Sequence, residues 1–389
     1  MSATRSIPFH RPAIGENEIR AVVETLRSGW ITTGPRVKEL EDRFAEYVGA
    51  RHAIAVNSGT AAIHLGLLAA GLAPGDAILT SPITFPATTE AAIYCGATPL
   101  FADVDPVTLN IDPDRVEEVL ARDAERRRIR VLVPVHYAGQ PCAMERLMPI
   151  AERYGVKVVE DAAHALPAKR RMGDDWRTVG TIGDFTAFSF YATKTMTTAE
   201  GGMITCASDD SAELLRSLRL HGLSGDAWKR HRTDGSWRYD VARTGYKDNL
   251  SDVLAAIGVE QLKRVEELAA ARARLVELYR EALAPIADRL ILPIVEERTA
   301  HAWHLFASRL RDGSRRTPVI EGMRARGIGA SVHFPPVHLH SFYVETYGHK
   351  PGDFPVAEAA FEGLLSLPLW PGMSTDDVDY VATTLRELL

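Results

Sequence analysis

Val158-Val159-Glu160-Asp161-Ala162-Ala163-His164-Ala165 is an apolar strand that runs into two carboxylates and then a histidine. In an open α/β sheet, ligands sit beyond the carboxyl ends of the strands, and a carboxylate buried there needs a cation or a donor. Taken alone, the stretch leaves two uses open. Asp161 could cap a helix and His164 could be a satisfied core histidine, or the pair could hold a protonated heterocycle. Working outward, short apolar runs recur at 53–56, 77–80, 99–102, 131–135, 156–159, 186–190 and 202–205. Helical periodicity at 60–70, 88–95, 114–120 and 144–154 separates most of them. That alternation predicts a mostly parallel, seven-stranded sheet covered on both faces. Between 186–190 and 201–206 there is no room for a helix, so a loop or an antiparallel return is expected there.

From about Leu250 the texture changes. The stretch 253–283 is rich in Ala, Leu, Glu and Arg and predicts one long helix or two. Strands at 290–292, 304–310 and 330–334 and helices at 316–326 and 375–388 then describe a smaller α+β unit. The expected division is a large α/β domain over 1–250 and a smaller domain over 251–389. The irregular polar stretches 170–178 and 224–243 are read as surface loops near a site or an interface.

The chain has 389 residues, 46% hydrophobic and 25% charged, enough to bury large cores without disulfides. Lys and Arg number 45 against 51 Asp and Glu, a balance that argues against a general nucleic-acid binder. The basic run at 126–130 reads as a solvated helix end. Three cysteines, none in a C-x-x-C, suit a reducing compartment. With no apolar h-region at the start and no membrane-length apolar run, a soluble, cytoplasmic protein is expected.

Two further motifs carry chemistry. Asn57-Ser58-Gly59-Thr60-Ala61-Ala62 follows a strand and opens a helix, a small-residue turn that suits either a phosphate or a simple Ser/Thr cap. Phe188-Ser189-Phe190-Tyr191-Ala192-Thr193-Lys194 places a lysine just past an apolar aromatic strand. Desolvation there would lower its pKa and make it a Schiff-base nucleophile. Most lysines are simply exposed, so the order of motifs matters more than any one of them. A phosphate cradle, a strand-end aspartate and a later lysine together suit pyridoxal 5′-phosphate, which needs a phosphate site, a carboxylate for its ring nitrogen and a lysine for its aldehyde.

Over nearly its whole length the sequence resembles the fold-type-I, pyridoxal-phosphate-dependent sugar aminotransferases of the DegT/StrS family. The resemblance rests on Gly29-Trp-Ile-Thr-Thr-Gly-Pro35, Pro134-Val-His-Tyr-Ala-Gly139, Glu160-Asp-Ala-Ala-His164, Lys194, Ala199-Glu-Gly-Gly202, Gly245-Tyr-Lys247 and His301-Ala-Trp-His-Leu-Phe306. Within the family it leans toward members that make UDP-4-amino-4-deoxy-L-arabinose. The resemblance implies roles. Lys194 carries the cofactor and shuttles the proton, Asp161 pairs with the pyridine nitrogen, and His164 contacts the phenolic oxygen. Gly59, Thr60 and Ser189 hold the phosphate, and Phe85 stacks on the ring unless it is an ordinary core phenylalanine. Lys247 reaches the phosphate from a second subunit of a homodimer. Thr32, Tyr191, Glu200 and His333 fall on the sugar side. The implied reaction is transamination of a nucleotide-linked 4-keto sugar with L-glutamate, because the stretch ending in Glu200-Gly201-Gly202 resembles C4-acting members.

Asp248-Asn249, Tyr191 and the 335–340 region depart from the arabinose-type pattern, which leaves nucleotide and sugar open. A C3-acting aminotransferase, a sugar dehydratase on the same fold and a regulatory binding protein are the rival readings. Dehydrating relatives replace the lysine by histidine, so Lys194 weighs against that rival. His333, His338, His340 and His349 match no standard zinc spacing, and no metal is expected. His301 and His304 read as structural residues of a strand around Trp303.

Overall fold

The computed structural model describes residues 5–126, 128–223 and 239–389. Its main sheet is built from β1 (His52–Val56), β2 (Ala77–Thr80), β3 (Thr98–Phe101), β4 (Ile129–Val133) and β5 (Lys157–Asp161). After a small hairpin, β6 (Lys169–Met172) and β7 (Asp175–Thr178), come β8 (Phe185–Ser189) and β9 (Gly202–Cys206). The seven strands lie in the order β1-β9-β8-β5-β4-β2-β3. The pairs from β8 through β5, β4 and β2 to β3 are parallel, whereas β9 runs antiparallel to both β8 and β1. This is the mostly parallel seven-stranded α/β sheet expected of a fold-type-I aminotransferase. Of the loop or antiparallel return expected after β8, the short β8–β9 connection makes the return.

The strands are apolar because both faces are covered. Every residue of β2 and β9 is buried. The helix Gly59–Ala69 is itself buried from Ala61 to Leu67 and packs against Val159, Phe185 and Ile204. Register brings the motifs to one edge. Val56 and Ser189 both pair with Gly202, and Asp161 pairs with Ala187. The loops after β1, β5 and β8 and the start of β9 therefore meet at the carboxyl end of the parallel strands.

The run at 253–283 is two helices, Asp252–Leu262 and Val265–Leu283. The first packs into a core with Val37, Leu40, Phe44 and Phe188. Asp252 caps the helix Pro35–Val48 by accepting from the amides of Gly34, Arg36 and Val37. After β10 (Leu290–Ile291) and β11 (Thr299–Ala300), β12 (Phe306–Leu310) joins β10 and β13 (Leu364–Leu367) in an antiparallel sheet. Helices Val265–Leu283, Arg316–Ala325 and Thr375–Leu388 pack on it around Tyr279, Phe306, Met323 and Val381.

Three expectations are corrected. The strand expected at 330–334 is a single bridge, Ser331 to Ser366; the third strand of that sheet is β13, which pairs with β12. The stretch 170–178 is a hairpin paired to β11, and Arg170 is buried in it between Glu145 and Glu296. Residues 301–305 form no strand. Most of the loop expected at 224–243 lies outside the described residues. Among the described residues no helix is long and apolar enough to cross a membrane.

Candidate active site

The loops at the carboxyl edge of the sheet and the C-terminal unit enclose a cavity of about 490 Å³, a size that suits a small-molecule site. Gly59, Thr60, Phe85, Asp161, His164, Ser189, Tyr191, Lys194, Glu200 and His333 line it. Ten residues scattered over 275 positions of chain are thus brought together. Thr32 and Lys247 are exposed and lie outside it. The Lys247 ammonium is bonded to Asn249, whose amide reaches Thr33, so the two outlying residues occupy neighbouring ground.

Asp161 ends β5 and is buried. Its Oδ2 accepts from Thr88 Oγ1 at 2.7 Å and its Oδ1 from the Ala163 amide at 3.1 Å. Thr88 is in turn bonded to Thr84 at 2.7 Å. The neighbouring Glu160 serves packing instead. It accepts from His136 Nε2, the Gly183 amide and Thr186 Oγ1 inside the sheet. Alternation along the strand sends one carboxylate to the cavity and the other to the core.

At the mouth of β1, Ser58 takes the Ala61 amide on its hydroxyl and the Ala62 amide on its carbonyl. It therefore caps the helix, as one reading of the motif held. The first helical amides, those of Gly59 and Thr60, remain for a ligand. A Cβ on Gly59 would come 2.8 Å from the Ser189 Cβ and 3.1 Å from its hydroxyl, so only glycine lets the turn and Ser189 converge. Gly202 does the same work one strand over, where a Cβ would meet the Ser58 carbonyl at 2.4 Å.

Lys194 is half-buried in the β8–β9 connection. Burial lowers its pKa to about 8, partly opposed by the nearby Asp161 carboxylate. Phe85 is 60% exposed, so it is no core phenylalanine; its ring lies at the cavity, 5.9 Å from Phe334. His164 is buried, its Nδ1 has no partner among the described residues, and its ring lies 4.3 Å from that of His304. Burial first, and then Lys194 and His333, hold it well below the ordinary histidine range. A small-residue cradle, a fixed carboxylate, an orphaned ring nitrogen and a lysine of lowered pKa in one cavity fit the phosphate, ring and aldehyde of pyridoxal phosphate.

Sequence reasoning missed several lining residues. His304, read as structural, lines the cavity and is held neutral by burial and by His164. His10 and Phe9 arrive from the N-terminus, and Phe334, Leu367 and Leu369 from the C-terminal unit. Behind His304, the fully buried Arg272 donates to the carbonyls of His304 and Leu369 at 3.2 and 2.9 Å. His304 stands in the 301–306 stretch that carries the family resemblance, but its place at the cavity, like that of the others, is set by packing between distant segments. Among the described residues no cluster could hold a metal ion.

Fold and site together define a pyridoxal-phosphate-dependent aminotransferase. Residues 12–386 match the model of the DegT/DnrJ/EryC1/StrS aminotransferase family, and the chain belongs to that family. A Bacillus subtilis relative, the spore coat polysaccharide biosynthesis protein SpsC, is 44% identical over 98% of this chain and 97% of its own. A putative sugar aminotransferase, Spr1654 of Streptococcus pneumoniae, solved in its PMP form, superposes with a TM-score of 0.90 at 33% identity, covering 98% of this chain and 99% of that one. DesV of S. venezuelae, solved with a ketimine intermediate, gives 0.85 at 31% identity over 95% and 93% of the two chains. The protein is thus a sugar aminotransferase of this family.

Proposed function

We propose that the protein transfers the amino group of L-glutamate to a nucleotide-linked 4-keto sugar, giving a 4-amino sugar nucleotide and 2-oxoglutarate. The observation that carries this reading is the presence of Lys194 and Asp161 in one cavity with the Gly59–Ser189 cradle. When bound, pyridoxal phosphate supplies an aldehyde for the lysine and a protonated ring that takes up carbanion charge. The chain does the rest. Gly59, Thr60 and Ser189 bind the phosphate, and Asp161, oriented by Thr88 and the Ala163 amide, holds the ring nitrogen protonated. His164 bonds the phenolic oxygen and Phe85 covers the ring. Lys194 takes the proton from glutamate Cα in the first half of the reaction and delivers one to the sugar carbon in the second. Tyr191, Glu200 and His333 face the acceptor.

Two features support a homodimer with shared sites: Lys247 and Thr32 are exposed and lie outside this chain's own cavity. In this reading Lys247 of the partner subunit reaches the phosphate and Thr32 of the partner subunit the sugar. The relative named for spore coat polysaccharide supports a sugar destined for a surface polymer, with a UDP-linked 4-keto pentose as the first candidate. The free, buried cysteines 95, 142 and 206 suit a cytoplasmic location.

The test is a visible spectrum of the purified protein with pyridoxal phosphate, followed by L-glutamate. The expected result is a yellow form that bleaches with glutamate and returns with one of a panel of 4-keto nucleotide sugars. A colour restored only by a 3-keto sugar would move the reaction to C3. A colour that glutamate leaves unchanged would replace the donor.

A further inference from the structure

The chain's N-terminal residues are anchored to the C-terminal unit. The Ile7 amide donates to Gly327 and the Gly329 amide to Ile7, each at 2.8 Å, and the Ile7 side chain is buried in that unit's core. The Pro8 carbonyl accepts from Trp370 Nε1 at 3.3 Å, the Arg11 guanidinium lies 5.6 Å from the centre of the Trp370 ring, and Phe9 stacks on His333 with centroids 5.2 Å apart. From this strap His10 lines the cavity, and its Nε2 lies 2.9 Å from the carbonyl oxygen of Ala192. A carbonyl only accepts, so Nε2 carries the hydrogen.

Ala192 sits two residues before Lys194, in the turn closed by the Lys194 amide on the Tyr191 carbonyl at 2.9 Å. Tyr191 is exposed and Ala192, Thr193 and Lys194 are half-buried, so the turn stands less enclosed than the buried stretch 195–198 that follows it. A donor carried by the opposite wall of the cavity holds its middle carbonyl. We propose that His10 is a positioning residue for Lys194: by bonding Ala192 it sets the lysine turn from the C-terminal unit and so fixes where the amine meets the cofactor's aldehyde. The proposal rests on the reading of Lys194 as the cofactor lysine. The bond is made to the turn's backbone, and the turn's link to the cradle is the long bond of the Tyr191 amide to Ser189 Oγ at 3.4 Å, so losing the His10 bond acts first on the lysine's placement.

The test uses the full-length apoprotein and three variants, His10→Phe, His10→Ala and His10→Gln. Phe keeps a ring without the donor, Ala removes both, and Gln restores an N–H at a similar reach. Added pyridoxal phosphate condenses with the Lys194 amine with loss of water. Borohydride then adds hydride to the resulting C=N bond, and mass spectrometry reads the modified lysine against time. Affinity for pyridoxine phosphate, which has no aldehyde, is measured alongside. Losing one neutral hydrogen bond should slow attachment by about fivefold in His10→Phe and His10→Ala. In His10→Gln the rate should return to within about twofold, with pyridoxine phosphate affinity unchanged in all three. An unchanged rate in both Phe and Ala variants overturns the proposal, and so does slowing matched by an equal loss of pyridoxine phosphate affinity. If borohydride marks a different lysine in the unaltered protein, the Lys194 reading falls and the proposal falls with it.

Discussion

Thr88 Oγ1 donates to Asp161 Oδ2 across 2.7 Å, a bond between a helix after β2 and the last residue of β5. It orients the carboxylate that ends a buried strand, and in the proposed reading that carboxylate pairs with the cofactor's ring nitrogen. Asp161→Asn should therefore cost roughly a hundredfold in turnover, because a neutral amide no longer holds the ring protonated. Thr88→Val removes one bond to the carboxylate and should cost about fivefold. Single-turnover rates with glutamate measure both. Equal losses in the two variants would contradict the assigned hierarchy.

Lys194→Ala should abolish covalent cofactor attachment and lower turnover on the order of a thousandfold, while the protein still binds the cofactor's phosphate. In the unaltered apoprotein Lys194 reacts only when deprotonated. Its pKa is lowered by burial to about 8, so its labelling by an acylating reagent should rise with pH and reach half its maximum near there. Exposed lysines, with their usual pKa near about 10.4, should still be largely protonated and slow at that pH. Peptide-resolved labelling against pH checks this.

Gly59→Ala forces a Cβ to within 2.8 Å of the Ser189 Cβ. The turn and the strand end must separate, and cofactor affinity should fall by about tenfold for roughly 1.4 kcal/mol of overpacking. Equilibrium titration with pyridoxal phosphate reads it, and unchanged affinity would remove Gly59 from the cradle.

Mixing Lys194→Ala with Lys247→Ala tests the shared site. Neither variant alone should turn over well. In a mixed dimer one cavity has an intact Lys194 and receives an intact Lys247 from the partner subunit, so activity should reappear after exchange of subunits. Persistent inactivity of a mixture proven to exchange would place both lysines on the same site.

Arg170 lies fully buried between Glu145 at 2.6 Å and Glu296 at 2.6 Å, tying the helix Met144–Tyr154 to the segment before β11. Glu145 and Glu296 keep 21% and 36% of their side-chain exposure, so water can take up their charges once the guanidinium is gone, and Arg170→Ala should lose about 1.5 kcal/mol of stability through the lost charged bonds. Urea denaturation measures the loss, and cofactor affinity of the folded fraction should stay as it was.

Much of the sheet was legible because parallel strands buried on both faces leave continuous apolar runs, and helices between them leave a period. The shortness of the β8–β9 connection excluded a helix and left a loop or an antiparallel return, and β9 makes the return. That Gly59, Asp161 and Lys194 meet at one cavity was legible because each stands just past an apolar run, where an α/β sheet presents its ligands. β13 escaped notice although Leu364–Leu367 is fully buried, because no alternating pattern separates it from the helix before it. The stretch at 170–178 was misread because polar residues dominate it, and Arg170 becomes a core residue only once two distant carboxylates meet it.

The sequence by itself determined the alternation of strands and helices in the main sheet and the edge at which its motifs gather, since these depend on local periodicity and chain direction. Only the tertiary structure decided which side chains close the cavity from above. His10 and Phe334 carry no local signal, and the 301–306 motif does not say that His304 reaches the cavity; His10 meets its Ala192 partner across 182 residues of chain. It also separated Glu160 from Asp161, placing adjacent carboxylates on opposite faces of β5, one satisfied in the core and one facing the cavity. Periodicity reports which residues are buried, but what they are buried against is set by packing between segments far apart in the chain.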